Sequence, residues 1–156
     1  MNKKETEIVV SRIEQWYSRM LGYFVEDRTP LSAKYGWSKE AVPFANRNKL
    51  KYKNIKKGKS WGKEWESAWF HLSGDIKKEW RGKQIMVDLD FSGEGLVYTP
   101  KGKEIQGITN ASIWDQNFAR TRVLVPKSCI KNSKVEVWVE TAANSLFGIY
   151  VDADPD

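Results

Sequence analysis

In Lys134-Val135-Glu136-Val137-Trp138-Val139-Glu140-Thr141 three valines alternate with Glu136, Trp138 and Glu140. Side chains of a β-strand alternate between faces, so the three valines take one face and Glu136, Trp138 and Glu140 the other. The same period returns upstream, where Ile85, Val87, Leu89 and Phe91 interleave with Gln84, Met86, Asp88 and Asp90. Residues 67–72, 96–99, 104–108 and 120–125 read as further strands, and residues 146–151 close the series. Pro100-Lys101-Gly102-Lys103 carries turn chemistry between two of them and predicts a hairpin. Lys49-Leu50-Lys51-Tyr52-Lys53 alternates charged and apolar residues, as a half-exposed edge strand does. No helical pattern falls between the strands, which argues against a parallel α/β sheet. Seven or eight short strands separated by turn residues predict a mainly β fold, a β-sandwich.

Outside that block the period changes. In residues 5–24, Val9, Ile13, Trp16, Met20 and Phe24 recur at three- and four-residue spacing, with Tyr17 and Leu21 beside them. That predicts an amphipathic helix, which either packs on its own domain or docks onto a neighbour. Residues 25–48 hold Pro30, Gly36, Pro43 and scattered aromatics, and read as an ordered connector. The expected organisation is therefore a helix and connector over 1–48, a sandwich over 49–151, and a linker or cut end over 152–156.

A chain of 156 residues fits one domain, and eight Trp, six Tyr and six Phe are enough to build a core. The single cysteine, Cys129, excludes an intrachain disulfide and reads as a small buried hydrophobe. No run of apolar residues reaches the length of a membrane span. The expectation is a cytoplasmic protein with no membrane contact. The net charge of +6 is localised: residues 47–63 hold eight cations and no acid, while the remainder has 18 basic and 20 acidic residues. Such a stretch suits an acidic surface of another domain. Nucleic acid is not expected, because one arginine among lysines comes with no recognition motif.

The catalytic classes are poorly served. Glu94 and Glu140 are two carboxylates in strand contexts, but a glycosidase needs such a pair at a defined separation across a sugar, and hydrogen bonding at strand ends explains each of them. One His (His71) and one Cys give no metal site and no nucleophile–base pair. Gly58-Lys59-Ser60 lacks the earlier glycine of a phosphate loop. Trp61, Trp65 and Trp69, spaced by four, would share one face of a strand and stack on sugar rings if exposed, while Glu94, Gln106, Glu140 and Asn144 would bind hydroxyls. The plainer expectation for these tryptophans is core or interface packing.

Five motifs in order carry a resemblance: Trp61-Gly62; Ala68-Trp69-Phe70; Glu94-Gly95-Leu96-Val97-Tyr98; Gly102-x-x-x-Gln106-Gly107-Ile108-Thr109; and Glu140-x-Ala142-x-Asn144-x-x-Phe147-Gly148. Trp80-Arg81-Gly82-Lys83 adds a turn between the second and third. Over residues 58–150 the chain resembles the N-terminal, galactose-binding-like jelly-roll domain of glycoside hydrolase family 38 α-mannosidases, with Ile108 in place of a leucine. The resemblance implies a retaining, zinc-dependent parent enzyme whose metal and catalytic residues lie in a following domain. No catalytic residue is carried over, and the piece alone is expected to be inactive. The implied partner is the catalytic domain of the same polypeptide, with glycan contact or homo-oligomerisation through the parent as further possibilities. Trp61, Trp65, Trp69, Glu94, Gln106, Glu140 and Asn144 are the candidates for a domain interface or a glycan contact. The alternative function is a stand-alone carbohydrate-binding module.

Overall fold

The computed structural model describes residues 3–23, 25–109 and 119–143. The expected strand at 146–151, Asn144, Phe147, Gly148 and the tail lie outside the described residues. The chain divides into two units, residues 1–30 and 31–156. The first holds helix α1 (Lys3–Tyr23), which matches the amphipathic pattern. Several of its apolar side chains are well exposed, among them Ile13 at 59% and Trp16 at 62%.

The second unit is a sandwich of antiparallel strands. They are β1 (Ser32–Ser38), β2 (Lys53–Ile55), β3 (Ser67–Asp75), β4 (Met86–Asp88), β5 (Glu94–Tyr98), β6 (Glu104–Thr109), β7 (Arg122–Leu124), β8 (Ile130–Lys131) and β9 (Lys134–Ala142). The large sheet runs β2-β1-β3-β9-β5-β6, with β8 paired to β9, and β4 pairs with β7 in a second sheet. β3 and β9 form the longest ladder, nine residue pairs from Ser67 opposite Ala142 to Asp75 opposite Lys134.

The alternation in β9 decides where the core lies. Val135, Val137 and Val139 join Phe70 and Leu72 of β3 and Val97 of β5 on one face, against Val87, Leu89, Val123 and Val125 from the segments of the small sheet. Burying such side chains contributes about 1.5–3 kcal/mol each, so this interior dominates the stability of the fold. The expected strand 84–91 shows the expected faces: Val87 and Leu89 are buried while Met86, Asp88 and Asp90 are exposed. Cys129 is buried against the same core, at the end of a single helical turn (Lys127–Cys129) rather than in a strand. Burial pushes its thiol pKa up, which keeps it protonated and unreactive.

Two expectations need correction. Residues 25–48 are not wholly a connector, because Ser32–Ser38 forms β1, paired to β3 over seven residues. Its sequence, Ser-Ala-Lys-Tyr-Gly-Trp-Ser, sets Ala33, Tyr35 and Trp37 at alternate positions, with Gly36 between the last two. The glycine is needed for space: a Cβ there would lie 2.8 Å from Leu50 Cβ. The expected strand 49–53 is instead the end of a short 3-10 helix (Phe44–Lys49) followed by extended chain, with β2 starting only at Lys53. The alternation is genuine, with Lys49 and Lys51 exposed and Leu50 and Tyr52 half-buried. The apolar side chains, however, reach across the face of the sheet instead of pairing at its edge. The lysines at the true edge, Lys53 in β2 with Lys56 and Lys57 just after it, discourage further strand pairing.

Candidate functional site

The face of the large sheet opposite the valine core collects a second cluster of polar and aromatic side chains. Strand alternation and register place Trp69 and His71 of β3, Glu136, Trp138 and Glu140 of β9, and Leu96 and Tyr98 of β5 together there. Residues 42–52 cross this face as a strap, and Val42, Phe44, Leu50 and Tyr52 pack onto the cluster of Trp69, Tyr98 and Trp138.

Directional bonds fix the strap. Trp69 Nε1 donates to the Val42 carbonyl at 2.6 Å. The Phe44 ring meets Trp69 edge-on at 5.5 Å and lies 5.4 Å from Tyr98. Arg47 lays its guanidinium 3.6 Å from the centroid of Phe44 and 4.4 Å from that of Trp138. It donates from Nη1 to the Phe44 carbonyl at 2.8 Å and from Nη2 toward the Pro100 carbonyl at 3.5 Å. A planar cation with several donors suits this position, and lysine would not replace it. Burial lowers the Arg47 pKa, opposed by Tyr52 and Glu136. Tyr52 donates its hydroxyl to the Arg47 carbonyl at 3.1 Å and meets Trp138 edge-on. His71 stacks on Trp138 at 4.3 Å and shares a 2.9 Å hydrogen bond from Nε2 to Glu136 Oε1.

The two tyrosines of this face give a pH prediction. Burial, with a further push from the Glu140 carboxylate for Tyr98, raises the phenol pKa values of Tyr52 and Tyr98 from 10 to about 12 each. A group whose pKa is raised in the folded state contributes stability that is whole below the unfolded pKa and is lost as pH climbs through the folded one. The fold is therefore expected to weaken between about pH 10 and 12, and Tyr98→Phe should flatten that decline. Urea midpoints measured from pH 8 to 12 for the two proteins check this; parallel curves would refute it.

The structure separates the sequence-predicted residues. Trp61, Trp65 and Trp69 do not share a face, because left-handed residues at Gly62 (φ 64°) and Trp65 (φ 67°) break the strand period before β3 begins. Trp61 packs edge-on against Phe70 of the valine core and donates Nε1 to the Phe91 carbonyl at 3.2 Å. Trp69 is buried on the opposite face. Trp65 alone of the three is open, 50% exposed, with its backbone N–H on the Ala143 carbonyl at 2.8 Å. Glu140 accepts from the Tyr98 hydroxyl at 3.3 Å. Glu94 starts β5, where its carbonyl takes the Thr141 hydroxyl at 2.6 Å. Both carboxylates belong to the strap face, Glu140 opposite Leu96 and Glu94 opposite Ala142. Gln106 points the other way, donating Nε2 to the Arg122 carbonyl at 3.2 Å and so tying β6 to β7. No group of three or more His, Cys, Asp or Glu side chains suited to a metal occurs among the described residues, so these residues do not fit a zinc ion.

Sequence reasoning missed Phe44, Arg47 and Tyr52 as members of one cluster. The available signal was Arg47 itself, the one arginine in a run of lysines.

Residues 29–156 match the family model described as the jelly-roll domain of α-mannosidase. The chain belongs to that family. The jelly-roll model begins after α1, so it covers the sandwich and not the helix. The chain is 27% identical to Alpha-mannosidase G of Dictyostelium discoideum, an alignment covering 98% of this chain and 15% of the relative. Against Alpha-mannosidase 2C1 of Homo sapiens it is 26% identical over 70% of the chain and 10% of that protein. Against Alpha-mannosidase of Saccharomyces cerevisiae it is 22% identical over 94% of the chain and 13% of that protein. The chain thus spans between 10% and 15% of the length of these relatives. Among the described residues, no helix is long and apolar enough to cross a membrane.

Proposed function

We propose that this chain is a non-catalytic accessory domain of a cytoplasmic glycoside hydrolase family 38 α-mannosidase, which removes α-mannosyl residues from glycans. In this reading it supports a catalytic domain that holds the zinc and the reacting carboxylates. The observation that carries the proposal is the jelly-roll match over 29–156 in a chain spanning only 10–15% of its α-mannosidase relatives. The use of side chains agrees with it. Of the three tryptophans that could stack on sugars, Trp61 and Trp69 are committed to packing, and Gln106 and Glu140 are bonded within the sandwich. A carbohydrate-binding module would present several open aromatics around a concave surface, whereas here Trp65 stands without Trp61 and Trp69.

The test compares three proteins on p-nitrophenyl α-mannoside with zinc present: this chain, the α-mannosidase polypeptide containing it, and that polypeptide lacking residues 31–143. The expected result is no turnover by the chain, turnover by the polypeptide, and loss of soluble active enzyme on deletion. Turnover by the isolated chain would overturn the proposal. Calorimetric binding of mannan by the isolated chain, abolished by Trp65→Ala, would replace it with the carbohydrate-binding reading.

A further inference from the structure

Helix α1 has an apolar seam with no counterpart among the described residues of its own unit. Val9, Ile13, Trp16, Met20 and Tyr23 are spaced four, three, four and three residues apart, the strict heptad alternation of a coiled coil. That spacing averages 3.5 residues per turn and keeps a stripe facing another helix, where 3.6 would suit a broad globular surface. Val10 and Tyr17 widen the seam on one side, and Arg12 and Arg19 border the other. Apart from half-buried Met20, these side chains are exposed, Val9 by 42%, Ile13 by 59%, Trp16 by 62%, Tyr17 by 57% and Tyr23 by 83%.

We propose that α1 is a self-association helix, pairing in parallel with α1 of a second copy of this chain. Three observations choose this occupant. The heptad spacing asks for a helix. The area is sufficient: large side chains left half open expose roughly 100 Å² each, so six or seven on each of two helices bury about 1,000 Å² or more, the lower range of a specific interface. The charges select the orientation. An antiparallel pair would set Arg12 beside Arg19 of the other copy, twice. A parallel pair sets Arg12 beside Tyr17 of the other copy, a cation against an aromatic face. The β-branched Ile13 then falls at the a position, which favours two strands in parallel dimers. Because α1 precedes the matched jelly-roll segment, this pairing does not depend on the function proposed above.

Sedimentation of the 156-residue chain over a wide concentration range tests the proposal. A dimer is expected, and Ile13→Glu/Trp16→Glu should halve the mass while thermal unfolding of the sandwich keeps its midpoint. In a Cys129→Ala background, Val9→Cys should cross-link with itself on oxidation, as parallel pairing requires. A monomer throughout would overturn the proposal, as would a dimer indifferent to the double substitution. An intact seam that binds the purified remainder of the α-mannosidase polypeptide, with no self-association, would reassign the helix to that partner. A dimer that fails to cross-link through Val9→Cys would overturn the parallel arrangement.

Discussion

Replacing Trp69 with alanine is expected to cost about 3–5 kcal/mol, the range for removing a buried aromatic side chain. Trp69 is 1% exposed and touches both the strap and the sheet. Its loss opens a void beside Phe44 and Tyr98 and leaves the Val42 carbonyl without its donor. Against a typical domain stability of about 5–15 kcal/mol this is a large fraction. Trp69→Phe keeps much of the bulk and loses the hydrogen bond, so it should cost less, about 1–3 kcal/mol. Urea unfolding of the three proteins reads the ranking. Limited trypsin digestion adds a local readout, because the strap carries exposed Lys49 and Lys51, which should be cut sooner once Val42 is released. Equal stabilities for Trp69→Ala and the parent protein would show that the strap is not held by this indole.

The second large effect is expected at the tip of the β5–β6 hairpin. Gly102 has φ +86°, in the left-handed region where a side chain is strained, and a Cβ there would stand 2.6 Å from Phe44 Cε1. Its N–H closes the turn on the Thr99 carbonyl at 2.9 Å, so the backbone has no easy escape. Gly102→Ala combines a conformational cost of about 1–2 kcal/mol with an overpacking cost of about 1–3 kcal/mol. The expected total of about 2–5 kcal/mol is far more than an ordinary exposed turn substitution produces. Phe44→Ala/Gly102→Ala should recover the overpacking part and leave the φ strain. A double-mutant cycle in urea therefore separates the two causes, and strict additivity would deny the contact.

The parts of the fold that were legible in sequence are those with a strong period. Residues 84–91 alternate over eight positions with burial to match, and in 134–141 the three valines are buried on one face while Trp138 is buried on the other. The hairpin was legible because Pro100 and Gly102 state their turn chemistry locally, and the structure closes it with the Thr99 N–H on the Lys103 carbonyl at 2.8 Å. β1 was not legible, because its place is set by pairing with β3 and by the room Gly36 leaves for Leu50. Neither is encoded within the seven residues themselves. The candidate site divides the same way. Glu140, Trp69 and Tyr98 could be found from motifs on strands. The strap left only Arg47 as a local mark, since Phe44 and Arg47 meet Trp69, Trp138 and Pro100 across gaps that no local spacing reveals. The tryptophan series failed because two left-handed residues, one of them Trp65, sit inside it.

The position of β9 in the large sheet also sets the order in which the domain can be assembled. β9 lies between β3 and β5 and is the last of the described strands to be synthesised. Until it leaves the ribosome, the large sheet can exist only as two fragments, β2-β1-β3 and the β5–β6 hairpin, each with an open edge where β9 will enter. Pairing β9 with β3 closes a loop of more than fifty residues, an entropic cost that must be met before the ladder returns anything. The nascent large sheet therefore has two hydrogen-bonding edges unpaired, on β3 and on β5, from the end of β5 at Tyr98 until β9 begins at Lys134, and the late insertion of β9 joins both of its fragments at once.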